Sequence, residues 1–209
     1  RGLGDVYKRQ MTLRRCDSLA FRCDLAPLPD GTKARVAGRF VTPWRTVHLA
    51  SEAVGLINSS LILNLNEPSK IEDTSWIRPG KYIGIWWSMH LFQETWAQGP
   101  EHGATTENMM RYIDFAAEYG IPYIIMDEGW SASTTDVFRP NPNLDLEELV
   151  AYGGQRGVRI ILWLTWLAVE RDMERLFGQL EEWGIAGVKI DFMDRSDQWM
   201  VNYYERVAK

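Results

Sequence analysis

Cysteine and histidine are nearly missing from this sequence. Two Cys and three His in 209 residues leave no material for a disulfide framework or a multi-cysteine zinc site. His48, His90 and His102 lack metal-ligand spacing; His90 falls just past a strand end and can reach a pocket there, while His48 and His102 read as structural. No apolar run approaches the roughly 18 residues that a membrane span needs, and the chain opens without a signal-peptide pattern. A formal net charge of −5 without a basic block argues against nucleic acid as a partner. Neither a Gly-rich phosphate loop nor a Ser or Cys nucleophile constellation is readable. A nucleotide enzyme or a metal-dependent deacetylase therefore finds no support. Tryptophan, by contrast, is abundant: ten residues, which suits carbohydrate clefts and, by default, core packing. With 45% apolar and 24% charged residues, the composition is that of a globular chain with a real core.

Residues 1–10 (RGLGDVYKRQ) precede the first Met without apolar periodicity and read as a cloning or assembly scar. The chain also stops inside an apparent helix, so it reads as a fragment of a longer protein. Lys33–Phe40 and Pro43–Leu49 are expected as short strands, Ser51 as the cap of a short helix through Ile57, and Asn64–Gly80 as a connecting loop. From Lys81 the pattern alternates. Apolar runs at Tyr82–Trp87, Pro122–Met126, Val158–Trp163 and Gly187–Phe192 predict four strands. Helices follow each. The first is capped by Thr105 or Thr106, with Met109, Ile113, Ala116 and Ala117 on one face and Gly120 closing it. The next starts at Asp145 with Glu148 as capping-box partner and stops near Gly157. A third carries Met173, Leu176, Phe177, Leu180 and Trp183 up to Gly184, and a fourth follows Ser196 with Met200, Val201, Tyr204 and Val207.

Continuous apolar strands separated by helices imply an α/β fold with a buried parallel sheet. A doubly wound sheet and the first four βα units of a (β/α)8 TIM-type barrel compete. The run Trp86-Trp87-Ser88-Met89-His90 is unlike a nucleotide-binding turn, and polar or aromatic residues stand at every strand end, which favours the barrel.

Those strand ends carry the candidate chemistry. Alternation puts Lys189 and Asp191 on one face, about 7 Å apart along the strand. An ammonium beside a carboxylate favours its charged form, which a nucleophile or oxocarbenium stabiliser requires. A structural ion pair is the other reading. Asp127 and Glu128 precede Trp130; paired acids beside an indole suit sugar hydroxyls, although neighbouring strand residues face opposite ways. Trp163 and Trp166 can serve as stacking platforms or as packing, and Arg195 reads as a salt-bridge or loop anchor.

The runs TPWRTV (42–47), LNLNEPSKIEDTSWIRPGK (63–81), IIMDEGW (124–130) and KIDFMDRSDQ (189–198) resemble glycoside hydrolase family 97, α-glucosidases and α-galactosidases of bacteria. The resemblance implies an N-terminal β-sandwich, a catalytic barrel and an active-site calcium ion. On that comparison 11–62 would be the end of the sandwich domain, 63–81 a linker and 82–209 the N-terminal half of the barrel. It also implies that Asp191, in a Lys-x-Asp motif, is the nucleophile of a retaining enzyme, with Lys189, Asp127, Glu128, Trp87 and Trp163 lining the sugar site. The family's inverting members replace that Asp and use a Glu after the third strand, where this sequence has Leu162–Trp166 and no acid. Gly84–His90 and Gly99–Thr105 look more like the inverting α-glucosidase branch, so glucose and galactose both stay open. The acid/base Glu and most calcium ligands would lie beyond Lys209, leaving this chain inactive alone, and Glu67 is the matching calcium ligand or a solvated loop carboxylate. An α-glycoside or oligosaccharide substrate and a periplasmic or extracellular location are implied by the family alone. A sugar-binding or decayed barrel fragment, and a metal-free α-galactosidase clan with the same Lys-x-Asp logic, are the competing readings.

Overall fold

The computed structural model describes residues 11–15, 17, 20–42, 46–65 and 67–209. Residues 1–10, read above as a scar, and Pro43–Arg45 lie outside them. The chain divides into two compact units, one formed by Ala34–Arg78 and the other by the residues through Lys33 together with Pro79–Lys209.

Of the two strands expected at Lys33–Phe40 and Pro43–Leu49, the described residues form neither, and Pro43–Arg45 of the second lie outside the described residues. Lys33–Phe40 and residues 46–49 are irregular, because among the described residues no neighbouring strand offers them a ladder, and a lone strand has no stability. Two one-turn helices stand here instead, α1 (Ala53–Ile57) and α2 (Leu61–Leu65). The residue at the N-cap of α1 is Glu52 rather than Ser51, and it makes no side-chain cap. The loop expected from Asn64 accordingly begins only after Leu65.

The other unit opens with an antiparallel hairpin, β1 (Met11–Arg15) and β2 (Phe21–Leu25), paired from Met11↔Leu25 to Arg15↔Phe21. Its main body is a four-stranded parallel sheet of β3 (Tyr82–Gly84), β4 (Tyr123–Met126), β5 (Arg159–Thr165) and β6 (Gly187–Asp191), in that spatial order. Helices α3 (Trp86–His90), α4 (Thr106–Glu118), α5 (Leu146–Gln155), α6 (Trp166–Arg171), α7 (Met173–Glu182) and α8 (Gln198–Ala208) follow the strands. Sequential strand order without a reversal is what a doubly wound sheet lacks, since such a sheet has a switch point where its order turns back.

Local chemistry explains most boundaries. Thr105 caps α4 by accepting from Asn108 N–H at 3.3 Å, and Asp145 caps α5 by accepting from Glu148 N–H at 2.9 Å. The last helix differs from expectation: Asp197, not Ser196, is its cap and accepts from Met200 N–H at 3.2 Å. The first strand is also shorter than its apolar run. Ile85 turns into helical backbone (φ −72°, ψ −16°), so Trp86 and Trp87 sit on α3. Gly84 passes so close to its neighbour that a Cβ there would collide with the Ile125 carbonyl oxygen. Between sheet and helices lies the core: Ile124, Met126, Ile160, Leu162 and Leu164 from the strands, against Ile113, Leu149 and Leu176 from the helices.

Candidate active site

Strand register assembles the site. Met126 pairs with Leu162, so Asp127, the next residue, draws level with Trp163, whose partner across β5–β6 is Lys189. Two residues on, Thr165 pairs with Asp191. Period-two alternation then places Ile125, Asp127, Ile161, Trp163, Thr165, Lys189 and Asp191 on the face opposite the helices.

Lys189 is the hub of this row. Its ammonium donates to Asp127 Oδ2 at 2.8 Å and stands 3.7 Å from Asp191 Oδ2. Asp127 is 4% exposed, and its second oxygen accepts the Glu128 N–H at 3.0 Å, so the buried charge is both paired and hydrogen-bonded. Asp191 is more open, its side chain 41% exposed. It accepts the Phe192 N–H on Oδ1 at 2.8 Å and the Trp163 indole N–H on Oδ2 at 3.2 Å. Trp163 is packed, 3% exposed, and its carbonyl accepts the indole N–H of the fully buried Trp130 at 2.7 Å. Trp87, 62% exposed, lines a cavity of about 440 Å³ together with Gly84, Trp86, Ile125, Asp127 and Lys189. A larger hollow of about 790 Å³ lies by Pro140, Leu146, Glu182 and Trp183 and holds none of the strand-end residues, so size alone does not mark the site.

Glu128 is half-buried, and burial followed by the Asp127 charge pushes its carboxyl above the ordinary range. Its protonated form is thereby favoured, and a protonated carboxyl can donate as well as accept. Gly129 follows at φ 104°, where a Cβ would stand 2.9 Å from His102 Nε2. His102 is buried, and that burial pushes its pKa down against a smaller opposite pull from the Gly129 backbone. Asn141, also buried, donates to Ala104 O at 2.9 Å and to Gly129 O at 2.7 Å, which fixes the Asp127–Trp130 turn. The segment joining α3 to α4 is fastened separately. Glu94 accepts from Ser88 and, at 2.5 Å, from Asn108 Nδ2, while Ser88 Oγ lies 3.1 Å from the Tyr112 hydroxyl.

The structure therefore brings together Asp127, Lys189, Asp191 and Trp163, and places Trp87 on the same cavity as Asp127 and Lys189. Arg195 pairs with Asp197 at 2.6 Å and stacks over Trp199, a loop anchor. His102, read in the sequence as a structural histidine, is indeed buried, whereas Asn141 and the Trp130–Trp163 link escaped sequence reasoning. Only the Pro140-Asn141-Pro142 punctuation hinted at a fixed turn. Glu67 is exposed, and among the described residues no three His, Cys, Asp or Glu side chains gather as a metal site, whereas calcium takes six to eight oxygens. The described residues alone do not make a calcium site.

The chain is 38% identical over 171 residues to a retaining alpha-galactosidase of Bacteroides thetaiotaomicron, a match that covers 80% of this chain and 25% of that protein. It spans about a quarter of the curated relatives it matches. Among solved structures it is similar to a glycoside hydrolase family 97 enzyme from Pseudoalteromonas sp. strain K8, described in complexes with acarbose and with panose. The identity is 34% and the TM-score 0.87, over 97% of this chain and 35% of that one. A beta-arabinopyranosidase, at 19% identity and TM-score 0.52 over 73% of this chain and 24% of that one, shares the fold alone. The family model Glycosyl-hydrolase 97 N-terminal matches residues 7–68 and the model Glycoside hydrolase 97 matches residues 86–209. With more than half its length inside the second of these, the chain belongs to glycoside hydrolase family 97.

Proposed function

We propose that this chain supplies the nucleophile and part of the sugar site of a retaining α-glycosidase that removes terminal α-galactose. The observation that carries the reading is Asp191: an open strand-end carboxylate, held by two N–H donors and faced by the Lys189 ammonium. The sequential parallel sheet supports a reading of 82–209 as the first half of an eight-stranded barrel, whose active face is the strand C-terminal side. The β1–β2 hairpin, on the same reading, belongs to the end of an N-terminal β-sandwich.

In the first step an Asp191 oxygen attacks the anomeric carbon and the glycosidic C–O bond breaks. The leaving oxygen takes a proton from an acid that the family resemblance assigns to a later strand. Water then attacks the glycosyl-enzyme, giving its proton to the same group, and the sugar leaves with its anomeric configuration retained. In a retaining pair the two carboxyl groups stand about 5–5.5 Å apart. Lys189, Asp127 and Glu128 hold ring hydroxyls, and Trp87 covers a sugar face. Galactose is preferred over glucose because the Bacteroides thetaiotaomicron relative, 38% identical to this chain, is named a retaining alpha-galactosidase.

The test uses the full-length protein that carries this chain, with aryl α-galactoside and aryl α-glucoside as substrates. Asp191→Ala is expected to lower turnover by at least about a thousandfold, as loss of a nucleophile does elsewhere. Added azide is expected to restore turnover and release a β-glycosyl azide. Turnover like that of the unmutated protein, or azide without a β-azide product, would remove Asp191 from this role. Faster cleavage of the glucoside would assign the enzyme to glucose instead.

A further inference from the structure

The indole of Trp163 invites a role as a sugar platform, yet its geometry is that of a donor to a carboxylate. Only 3% of the residue is exposed, against 62% for Trp87 on the cavity wall. A ring so enclosed offers no open face for stacking. Its N–H, instead, points at Asp191 Oδ2 at 3.2 Å. Packing alone does not require an indole N–H to end on an acidic oxygen, and a buried one seeks any available acceptor. Here the acceptor is the proposed nucleophile.

We propose that Trp163 is a positioning residue for Asp191, fixing the orientation of its carboxylate through the indole N–H. The inference rests on the reading of Asp191 as nucleophile. Three further features make the hold stiff. Trp163 is anchored at its backbone, where its carbonyl takes the Trp130 indole N–H at 2.7 Å. Its ring meets the Phe192 ring edge-on, with centroids 5.2 Å apart at 81°. Phe192 itself adopts φ 61°, a left-handed backbone that a non-glycine residue holds only where its surroundings fix it. In that turn the Phe192 N–H bonds the other Asp191 oxygen at 2.8 Å. Each carboxylate oxygen thus has its own N–H donor, and rotation about the Cβ–Cγ bond away from this orientation breaks both contacts. Holding a nucleophile at its angle of attack acts on the chemical step and leaves substrate affinity nearly unchanged, because the indole does not touch the sugar.

The experiment replaces Trp163 in the full-length protein in two ways. Trp163→Phe keeps an aromatic ring and removes the donor. A benzothienylalanine introduced at position 163 keeps the indole shape and exchanges only the N–H for sulfur, which guards against a variant that fails to fold. In both, kcat on an aryl α-galactoside is expected to fall about tenfold to a hundredfold, the scale of a small misplacement of a reacting group. KM should move by less than about threefold, since uniform binding is untouched. A rise in KM with kcat preserved, or an unchanged kcat in the benzothienylalanine variant, overturns the proposal. Azide rescue of Asp191→Ala, run beside it with Trp163 intact, separates the two claims. If rescue yields the β-azide and kcat is unmoved at position 163, the positioning role falls while the nucleophile stands. Without the β-azide product, both fall.

Discussion

One face of the parallel sheet is sealed by helices and carries Ile124, Met126, Ile160, Leu162 and Leu164, all essentially without solvent contact. The other face, drawn from the same strands at alternate positions, carries Ile125, Asp127 and Lys189 on the wall of an open cavity, with Trp163 and Asp191 in the same row. Alternation lets one short strand serve both ends at once. The hydrophobic face fixes where the strands lie, and their register then sets the polar face without any further design, since Asp127, Trp163 and Lys189 are simply the residues that fall level. Stability and chemistry are thereby divided between side chains that are adjacent in sequence. That division can be attacked from either side.

The largest expected loss of stability comes from the sealed face. Leu162→Ala in the full-length protein should cost about 2–5 kcal/mol, because the methyl groups removed leave a cavity among residues that cannot collapse to fill it. Denaturant unfolding measures the loss, and turnover per folded molecule should stay unchanged. If turnover instead falls ahead of unfolding, the two faces are not separable in the way the packing implies.

A smaller loss of stability and a larger loss of activity are expected on the open face. Lys189→Met leaves Asp127 buried without its 2.8 Å ammonium partner, at a cost of about 1–3 kcal/mol for an unsatisfied buried group. Turnover should drop well beyond what unfolding explains, as the same ammonium faces Asp191 at 3.7 Å. Adding Asp127→Asn should return much of the stability and none of the activity. A double variant as unstable as the single one would show that the pair is not what holds this end of the sheet.

Much of this division was legible before any coordinates. Helix faces such as Met109, Ile113 and Ala116 follow from their spacing, and the shared face of Lys189 and Asp191 follows from period two. The failures are equally physical. Tyr82–Trp87 is apolar throughout, and a short apolar run does not declare where strand becomes helix; the chain turns at Ile85. Both Ser196 and Asp197 are good N-cap residues, and only the backbone (Asp197 at φ −78°, ψ 178°) decides between them. The strands expected near Lys33–Phe40 show the limit of propensity, since a strand needs a partner that local sequence does not name. In the site, composition pointed to tryptophan, but nothing in the sequence distinguishes the exposed ring of Trp87 from the N–H of Trp163 aimed at a carboxylate.

The smallest effect sharpens the comparison at the boundary between the faces, at Glu128. This carboxyl is half-buried beside the Asp127 charge, and both influences raise its pKa above the ordinary 4.5. Over the window between that ordinary value and the raised one, the native state holds a proton that the unfolded chain has released. Stability contributed by Glu128 therefore falls as pH rises through this window and stays low above it. Glutamine keeps the shape and removes the charge, so Glu128→Gln should be more stable than the unmutated protein at neutral pH. The advantage should shrink as pH falls toward the ordinary carboxylate range, where Glu128 is protonated in both states. Melting temperatures of the two proteins from about pH 4 to pH 8 read the difference. Its size should also fall in an Asp127→Asn background, because one of the two causes is then gone. A difference that ignores pH would mean that Glu128 is held by contacts of its amide-like shape and not by the charge of its neighbour. The turn after β4 would then belong with the structural face of the sheet, not the chemical one.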